Sequence, residues 1–229
     1  MTNERRIQPE QFISYYRYLA KWQTIVLSTE PVVPSQAKEA ISYAYQIAEL
    51  PLPEIFFVAS PRLQQIKLID LFKFSSSRPL IRPSILVALW DKLRTPAGKA
   101  AYEQKKNFPS GIYKVSLDKS IRYFVEALEQ QLKKEKIDFL SEVRSIYPEV
   151  DNGINYCNQE AQECAWLEFA VEVLKANYPL DAVDAFLGLI RHCGLTLQFR
   201  NALIVSDRPI KIDFTVNPPT LKFADGFKA

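Results

Sequence analysis

Residues 203–214 read LIVSDRPIKIDF, in which two apolar runs flank the turn sequence Asp207-Arg208-Pro209. Short apolar runs bounded by such turn residues predict β-strands. A third run, at 221–223, follows a second turn sequence that contains two prolines. Upstream, by contrast, apolar residues recur every three or four positions, which is the period of an amphipathic helix. We therefore expect an α+β fold that is predominantly α-helical, with a small β element at the C-terminus.

The helical pattern covers most of the first 200 residues and is interrupted by one strand-like run. That run, at 54–59, is rich in aromatic and β-branched residues and is bounded by Ser60-Pro61, so it predicts one short internal strand. In the last helix, Asp181 is the expected N-cap and Gly194 marks the end. The predicted helices cover residues 8–27, 34–48, a segment ending near 74, 84–94, 97–106, 118–147, 159–177 and 181–194, and the predicted C-terminal strands cover 203–206, 210–214 and 221–223.

Length and composition bound the organisation of the chain. With 229 residues, of which 48% are hydrophobic, the chain is long enough to fold around its own core without disulfides. We expect a helical domain at 1–200, containing the strand near 54–59, and a small β segment at 201–229 packed on it, the two forming a single folded unit.

Several classes of functional site are excluded by residue counts. None of the 6 glycines has the spacing of a P-loop or a dinucleotide-binding loop, so these nucleotide sites cannot be built. The single histidine, His192, excludes two-histidine zinc motifs. We expect no cofactor.

The compartment follows from the N-terminus and the cysteines. The chain stays polar up to Phe12, and its longest apolar run, at 85–90, is far shorter than the roughly 20 residues that a membrane span needs. The 3 cysteines are an odd number, which fits reduced thiols. We therefore expect a cytoplasmic protein that does not enter a membrane.

Charge is distributed unevenly, although the formal net charge is only +3. Residues 54–122 contain 13 Lys and Arg against 5 Asp and Glu, whereas residues 145–193 contain 2 against 8. One interpretation is that the two regions face each other or are solvated helix faces. The other is an anion-binding or nucleic-acid-binding surface, since cations interleaved with aromatics bind phosphates and stack on bases. The residues of that candidate surface are Arg78, Arg82, Arg94, Lys99, Lys105, Lys106 and Lys114.

Candidate chemistry is sparse. His192 and Cys193 adjoin each other at a predicted helix end, but neighbours on a helix diverge by about 100°, so a nucleophile-base pair is disfavoured. A zinc site from these two residues with Cys157 and Cys164 lacks the paired short spacings of structural zinc sites, so no metal is expected. The acidic row Glu160, Glu163, Glu168 and Glu172 is interpreted as a solvated helix face.

Aromatic residues crowd the first helix. Tyr15, Tyr16, Tyr18 and Trp22 occupy more of that helix than one core face requires. Core packing is one interpretation, and a partner-binding aromatic surface is the other.

Three segments resemble an uncharacterised bacterial family, the DUF6745-like domain of unknown function. They are the LSTEP motif at 27–31, the apolar strand at 53–61 ending in Ser-Pro, and the stretch from WLEF at 166–169 to RNALIVSDRP at 200–209. The resemblance spans most of the chain and implies a C-terminally shortened member, because the relatives continue beyond the segment that resembles Ala224-Asp225-Gly226. It implies no activity, cofactor or substrate.

Taken together, these patterns favour a non-enzymatic protein-interaction or scaffolding module whose partner is another protein. The alternative is a nucleic-acid-binding accessory protein that uses the basic 54–122 segment, and a third hypothesis is an enzyme centred on His192 and Cys193. The sequence leaves the oligomeric state open.

Overall fold

The computed structural model describes residues 9–74, 85–105, 117–134, 154–156, 160–198, 201–216, 219–226 and 228. The helices of these residues are α1 Pro9–Val26, α2 Pro34–Ile47, α3 Pro61–Phe74, α4 Ile85–Leu93, α5 Pro96–Lys105, α6 Leu117–Lys134, α7 Ala161–Glu172 and α8 Leu180–His192. The strands are β1 Glu54–Val58, β2 Ile154–Tyr156, β3 Leu195–Gln198, β4 Ala202–Ser206, β5 Lys211–Asp213 and β6 Thr220–Lys222. The predicted α+β class, predominantly helical, is confirmed. In the described residues, no helix has the length and apolar character that a bilayer span requires.

The strands form a four-stranded sheet in the order β1-β4-β3-β2 and a separate β5-β6 ribbon. The internal strand β1 pairs parallel with β4, and the other pairs in the sheet are antiparallel. At the end of β1, the backbone N–H of Asp207 donates to the carbonyl of Val58 over 2.8 Å and extends the ladder. The main sheet therefore takes strands from both sides of residue 200.

One face of the sheet is covered by the larger of the two hydrophobic clusters that the described residues form. Helices α1, α2, α4, α7 and α8 pack together there, and β4 contributes Leu203 and Val205. The inner faces of these helices carry the most deeply buried side chains, including Trp22, Trp166 and Phe186. Burial of this much apolar surface is the main stabilising contribution to the fold.

The opposite face carries a smaller layer. Helix α6 packs on strand β6, and Leu128 of α6 lies in one cluster with Phe223. Helix α3 lies against β1 and β4, where Lys67 places its ammonium 4.3 Å from the centre of the Phe56 ring. The sheet is therefore covered on both sides.

Two strands have no counterpart in the sequence prediction. Strand β3 follows Gly194 directly, and its sequence Leu-Thr-Leu-Gln alternates apolar and polar residues over only four positions, although all four residues are buried. Its polar residues are satisfied internally, since Gln198 donates to Thr196 over 3.2 Å and accepts from the backbone N–H of Ile85 over 2.8 Å. Strand β2, only three residues long, is too short to give a periodic signal.

The start of α8 corrects one prediction. Pro179 is the N-cap, and Asp181 lies inside the first turn, where its charge still favours the positive end of the helix dipole. Elsewhere, the acidic residue Asp207 fixes a loop rather than a helix end. Asp207 accepts the backbone N–H of Val32 over 2.7 Å and that of Arg208 over 2.8 Å, which fixes the loop before α2 to the end of β4.

Candidate functional site

A cleft of about 550 Å³ opens between α4, α5, the start of α7 and the loop before α8. This volume lies within the range of about 300 to 1,000 Å³ typical of ligand pockets. Its lining combines aromatic, acidic and basic side chains. The lining residues are Trp90, Leu93, Arg94, Gly98, Lys99, Tyr102, Glu103, Glu160, Glu163 and Tyr178.

Helix α5 is positioned by its first turn. Pro96 begins the helix, and the Thr95 hydroxyl accepts the backbone N–H of Gly98 over 3.0 Å, which is a side-chain N-cap. A Cβ at Gly98 would overlap the carbonyl oxygen of Leu93 and lie 3.1 Å from the ring of Tyr178. Glycine at this position therefore allows the floor of the cleft to form by close approach of α4, α5 and Tyr178.

Tyr178 reaches the cleft because α7 ends sharply. Lys175 adopts a left-handed conformation with a φ of 54°, and the N–H of Ala176 donates back to the carbonyl of Ala170 over 2.8 Å, which closes the helix end. The buried Tyr178 hydroxyl then accepts the indole N–H of Trp166 over 3.4 Å. Burial raises the pKa of Tyr178 above its ordinary value, so the phenol stays neutral at the base of the cleft.

An ion pair joins α5 to α7 at the cleft. The ammonium of Lys105 lies 2.6 Å from Oε1 of Glu163, and the side chain of Lys105 is only 10% exposed. The same ammonium lies 5.1 Å from the centre of the Tyr102 ring. Among the described residues, Oε2 of Glu163 is buried and has no hydrogen-bond partner. Only one of the two carboxylate oxygens of Glu163 is therefore hydrogen-bonded within the described part of the chain.

Glu160 is the most strongly perturbed acid of the cleft. Burial, followed by repulsion from Glu163, raises the pKa of the half-buried Glu160 to about 7, and the opposing influence of Lys105 is smaller. Burial penalises the charged form of this carboxyl, and the negative charge of Glu163 adds to that penalty. Near neutral pH it is divided between its charged and neutral forms.

Aromatic rings form one wall of the cleft. Trp90 and Tyr102 meet edge to face with ring centres 6.2 Å apart, and Trp90 is held from behind by Phe186 with ring centres 5.2 Å apart. Tyr102 remains 39% exposed at the rim. Burial and the charge of Glu163 raise the pKa of Tyr102. The two rings thus form an aromatic surface that Phe186 supports from behind and that solvent reaches at Tyr102.

The predicted basic surface is only partly brought together. Arg94 and Lys99 lie exposed on the rim of the cleft. Lys105 does not, because it is buried against Glu163, so its proposed role on an exposed anion-binding surface is wrong. The remaining candidates, Arg78, Arg82, Lys106 and Lys114, lie outside the described residues.

The predicted aromatic surface on α1 divides in the same way. Tyr15 and Trp22 are fully buried and belong to the core, so a partner cannot touch them, and their proposed partner-binding role is wrong. Tyr16 is 49% exposed. Tyr18 packs on Phe169 with ring centres 5.9 Å apart, and its hydroxyl donates to Glu172 over 2.5 Å.

The acidic row is not simply a solvated face. Glu168 is buried, and it accepts from Lys21 over 2.6 Å and from the Trp22 indole over 2.9 Å. Glu163 and Glu160 belong to the cleft, and only Glu172 is exposed. The interpretation as a solvated face is therefore wrong for Glu163 and Glu168, because both carboxylates face cations from other helices.

His192 is the last residue of α8, and Cys193 is the C-cap that follows it. Cys193 is 2% exposed, and burial together with the charges of Arg191 and Arg208 lowers the pKa of His192. Cys164 is also buried, and Cys157 lies outside the described residues. In the described ranges, no group of three His, Cys, Asp or Glu side chains is placed to hold a metal ion.

The sequence did not identify Trp90, Tyr178 and Gly98 as site residues. It placed Glu160 and Glu163 on a solvated helix face. The one available signal was the opposite charge of segments 54–122 and 145–193, for which one interpretation was that the two regions face each other or are solvated helix faces. The pair Lys105–Glu163 is one such contact.

No protein-family model, curated protein or solved structure matches the chain. The resemblance to the DUF6745-like family therefore stays a prediction, and the functional proposal below rests on the cleft alone.

Proposed function

We propose that the protein is a non-enzymatic interaction module that holds a partner protein by a side chain inserted into the cleft. The observation that carries this proposal is a cleft of about 550 Å³ with a supported aromatic wall and a charged rim. Interface energy concentrates in a few anchors that fill such pockets, surrounded by a polar rim.

The surroundings of the cleft support a macromolecular partner. Val87 lies on α4 one turn before Trp90 and is 43% exposed, and Tyr102 is 39% exposed on the adjacent helix. Leu180, just after the cleft residue Tyr178, is 58% exposed. Exposed apolar side chains grouped with aromatics and charges around a pocket are typical of a protein-interaction surface.

The test compares two exposed tyrosines. Tagged wild-type protein, Tyr102→Ala and Tyr16→Ala are each used to retain partners from a native lysate treated with nuclease at high salt. Tyr16 is the matched control, because it is 49% exposed but lies on α1, away from the cleft lining.

We expect Tyr102→Ala to lose a defined partner by about tenfold or more, as for an interface anchor, while Tyr16→Ala retains it. All three proteins should unfold within a few degrees of one another, as expected for surface substitutions. An unchanged set of retained proteins with Tyr102→Ala would contradict the proposal.

A second candidate, a nucleic-acid-binding accessory protein, is favoured by one observation: Arg94 and Lys99 are exposed beside Tyr102 on the cleft rim. Its test is Arg94→Glu with Lys99→Glu rather than a change at Lys105, because reversing Lys105 would break a buried ion pair. Loss of salt-sensitive nucleic-acid retention is the expected result. Unchanged retention would eliminate this candidate for the described part of the chain.

A further inference from the structure

Among the described residues, the inner end of the cleft holds two carboxylates and one ammonium. Glu160 and Glu163 come from the start of α7, whereas Lys105 is the buried cation that faces them from α5. Near neutral pH the inner end is thus short of positive charge whenever both carboxylates are ionised. Charge imbalance in a partly buried site is unfavourable until a counter-charge arrives.

Hydrogen bonding shows the same deficit. Oε1 of Glu163 is satisfied by Lys105, but Oε2 is buried and has no hydrogen-bond donor among the described residues. Buried polar atoms are nearly always hydrogen-bonded in folded proteins, so an exception calls for an explanation. Glu163 itself lines the cleft and its side chain is 24% exposed, so a cation that enters the cleft approaches this carboxylate.

The other cations of the cleft do not remove the deficit. Arg94 is 65% exposed and donates to Asp91 over 3.3 Å, and Lys99 is exposed on the first turns of α5. Glu103 adds a further carboxylate on the same side. The two tyrosines of the cleft lining, Tyr102 and Tyr178, both have raised pKa values and stay neutral, so they add no charge.

We infer that the inner end of the cleft binds the cationic side chain of a lysine or arginine that the partner presents. This inference rests on the proposed function and specifies the chemistry of the partner residue. The cation pairs with Glu160 and donates to the carboxylate of Glu163. Its apolar stem lies along Trp90 and Tyr102, whose faces favour a positive charge.

A metal ion is a poorer occupant. Ca²⁺ takes about 6 to 8 oxygen ligands and Mg²⁺ about 6, whereas the inner end offers two carboxylates, one of which is already bound by Lys105. A neutral donor is also poorer, because it satisfies Glu163 but leaves the charge of Glu160 uncompensated. An ammonium or guanidinium meets both requirements.

The test uses small probes that isolate the charge. N-acetyl-lysine-N-methylamide and the arginine analogue are titrated into isotope-labelled protein, with N-acetyl-norleucine-N-methylamide as the neutral isostere. The readout is the NMR signal of the Trp90 indole, identified with Trp90→Phe, because this ring is part of the cleft wall.

We expect the lysine or arginine probe to bind in the millimolar range and about tenfold more tightly than the norleucine probe. Glu160→Gln should lose this difference, whereas Glu30→Gln, a change at an exposed residue outside the cleft lining, should keep it. For the wild type, binding should strengthen by about tenfold between about pH 6 and pH 8 as Glu160 loses its proton, and Glu160→Gln should show no such rise.

The outcomes separate this inference from the proposed function. Equal binding of charged and neutral probes, or no shift of the Trp90 signal up to about 50 mM probe, overturns the inference. If Tyr102→Ala nevertheless loses the partner, the function stands with a different anchor. If the charged probes bind through Glu160 but Tyr102→Ala keeps its partner, the cation site stands and the proposed function fails.

Discussion

Two acidic residues of helix α7, Glu168 and Glu163, each form an ion pair with a lysine of another helix. The two carboxylates differ in how completely their oxygens are hydrogen-bonded. At the contact of α7 with α1, Glu168 binds Lys21 at 2.6 Å and the Trp22 indole at 2.9 Å, and Arg191 lies 3.8 Å away. At the contact of α7 with α5, Glu163 binds Lys105 at the same 2.6 Å, but its second oxygen is buried with no partner among the described residues.

The difference distinguishes a structural ion pair from a binding site. A buried carboxylate is stable in the fold when its oxygens are satisfied, as those of Glu168 are. Glu163 fails this condition and lies in a cleft beside Glu160, whose pKa is raised by burial and by repulsion from Glu163. The incomplete hydrogen bonding of the Glu163 carboxylate, and not the presence of a salt bridge, therefore distinguishes the cleft as the candidate functional site.

The most disruptive test of the comparison is Glu168→Ala. The change leaves the buried indole N–H of Trp22 without its acceptor and removes the counter-charge of Lys21, so we expect a loss of about 3 kcal/mol in the free energy of unfolding. Denaturant unfolding measures this loss. Glu168→Gln, which keeps an acceptor for Trp22, should cost less, and equal losses would show that the hydrogen bond is not the main contribution.

Gly98→Ala tests the shape of the cleft rather than its charge. The added Cβ would overlap the Leu93 carbonyl, which belongs to the backbone and cannot rotate away, so we expect a destabilisation of about 2 to 3 kcal/mol. The matched control is Gly188→Ala in α8, where the nearest atom to a Cβ is 3.9 Å away. There the higher helix propensity of alanine should leave stability unchanged or raise it by up to about 1 kcal/mol.

The two lysines sharpen the comparison directly. Lys105 is 10% exposed and Lys21 is 47% exposed, although both make 2.6 Å contacts. Lys105→Met leaves the Glu163 carboxylate buried and unpaired, so we expect a loss of about 2 kcal/mol at neutral pH. Lys21→Met should cost under about 1 kcal/mol, since Trp22 still satisfies Glu168 and solvent screens the exposed lysine. Equal losses for the two variants would refute the distinction between the pairs.

The sequence predicted the elements that carry local signals. The strand β1 was identified because a short apolar run ends in Ser60-Pro61, and β4 because Asp207-Arg208-Pro209 interrupts two such runs. Strand β3 was missed because its alternation of apolar and polar residues covers only four positions, directly after a helical pattern. Its polar residues Thr196 and Gln198 are nevertheless buried and bonded to each other.

The cleft could not be predicted because its chemistry is long-range. Lys105 and Glu163 are 58 residues apart in sequence, and nothing near either residue specifies the other. Lys105 was assigned to an exposed basic surface because lysines are mostly exposed, and Tyr15 and Trp22 to a partner surface because α1 is aromatic on several sides. In each case tertiary packing, which local pattern does not encode, decides the role of the residue.

The smallest expected effect is the contribution of Glu160 to the pH dependence of the free energy of unfolding. Because burial and Glu163 raise its pKa from 4.5 to about 7, the folded protein holds this proton over a pH range in which the unfolded chain has released it. The contribution of Glu160 to stability is therefore present below about pH 4.5 and is lost as pH rises to about 7. In Glu160→Gln this dependence is absent, so relative to wild type the variant should gain about 1 kcal/mol between pH 5 and pH 8, after allowance for partial exposure.

Urea unfolding of both proteins at the two pH values measures the gain, and Glu30→Gln should show none. A gain that is the same at both pH values would mean that Glu160 is already compensated within the fold, which would remove the charge deficit that distinguishes its end of α7 from the saturated Glu168.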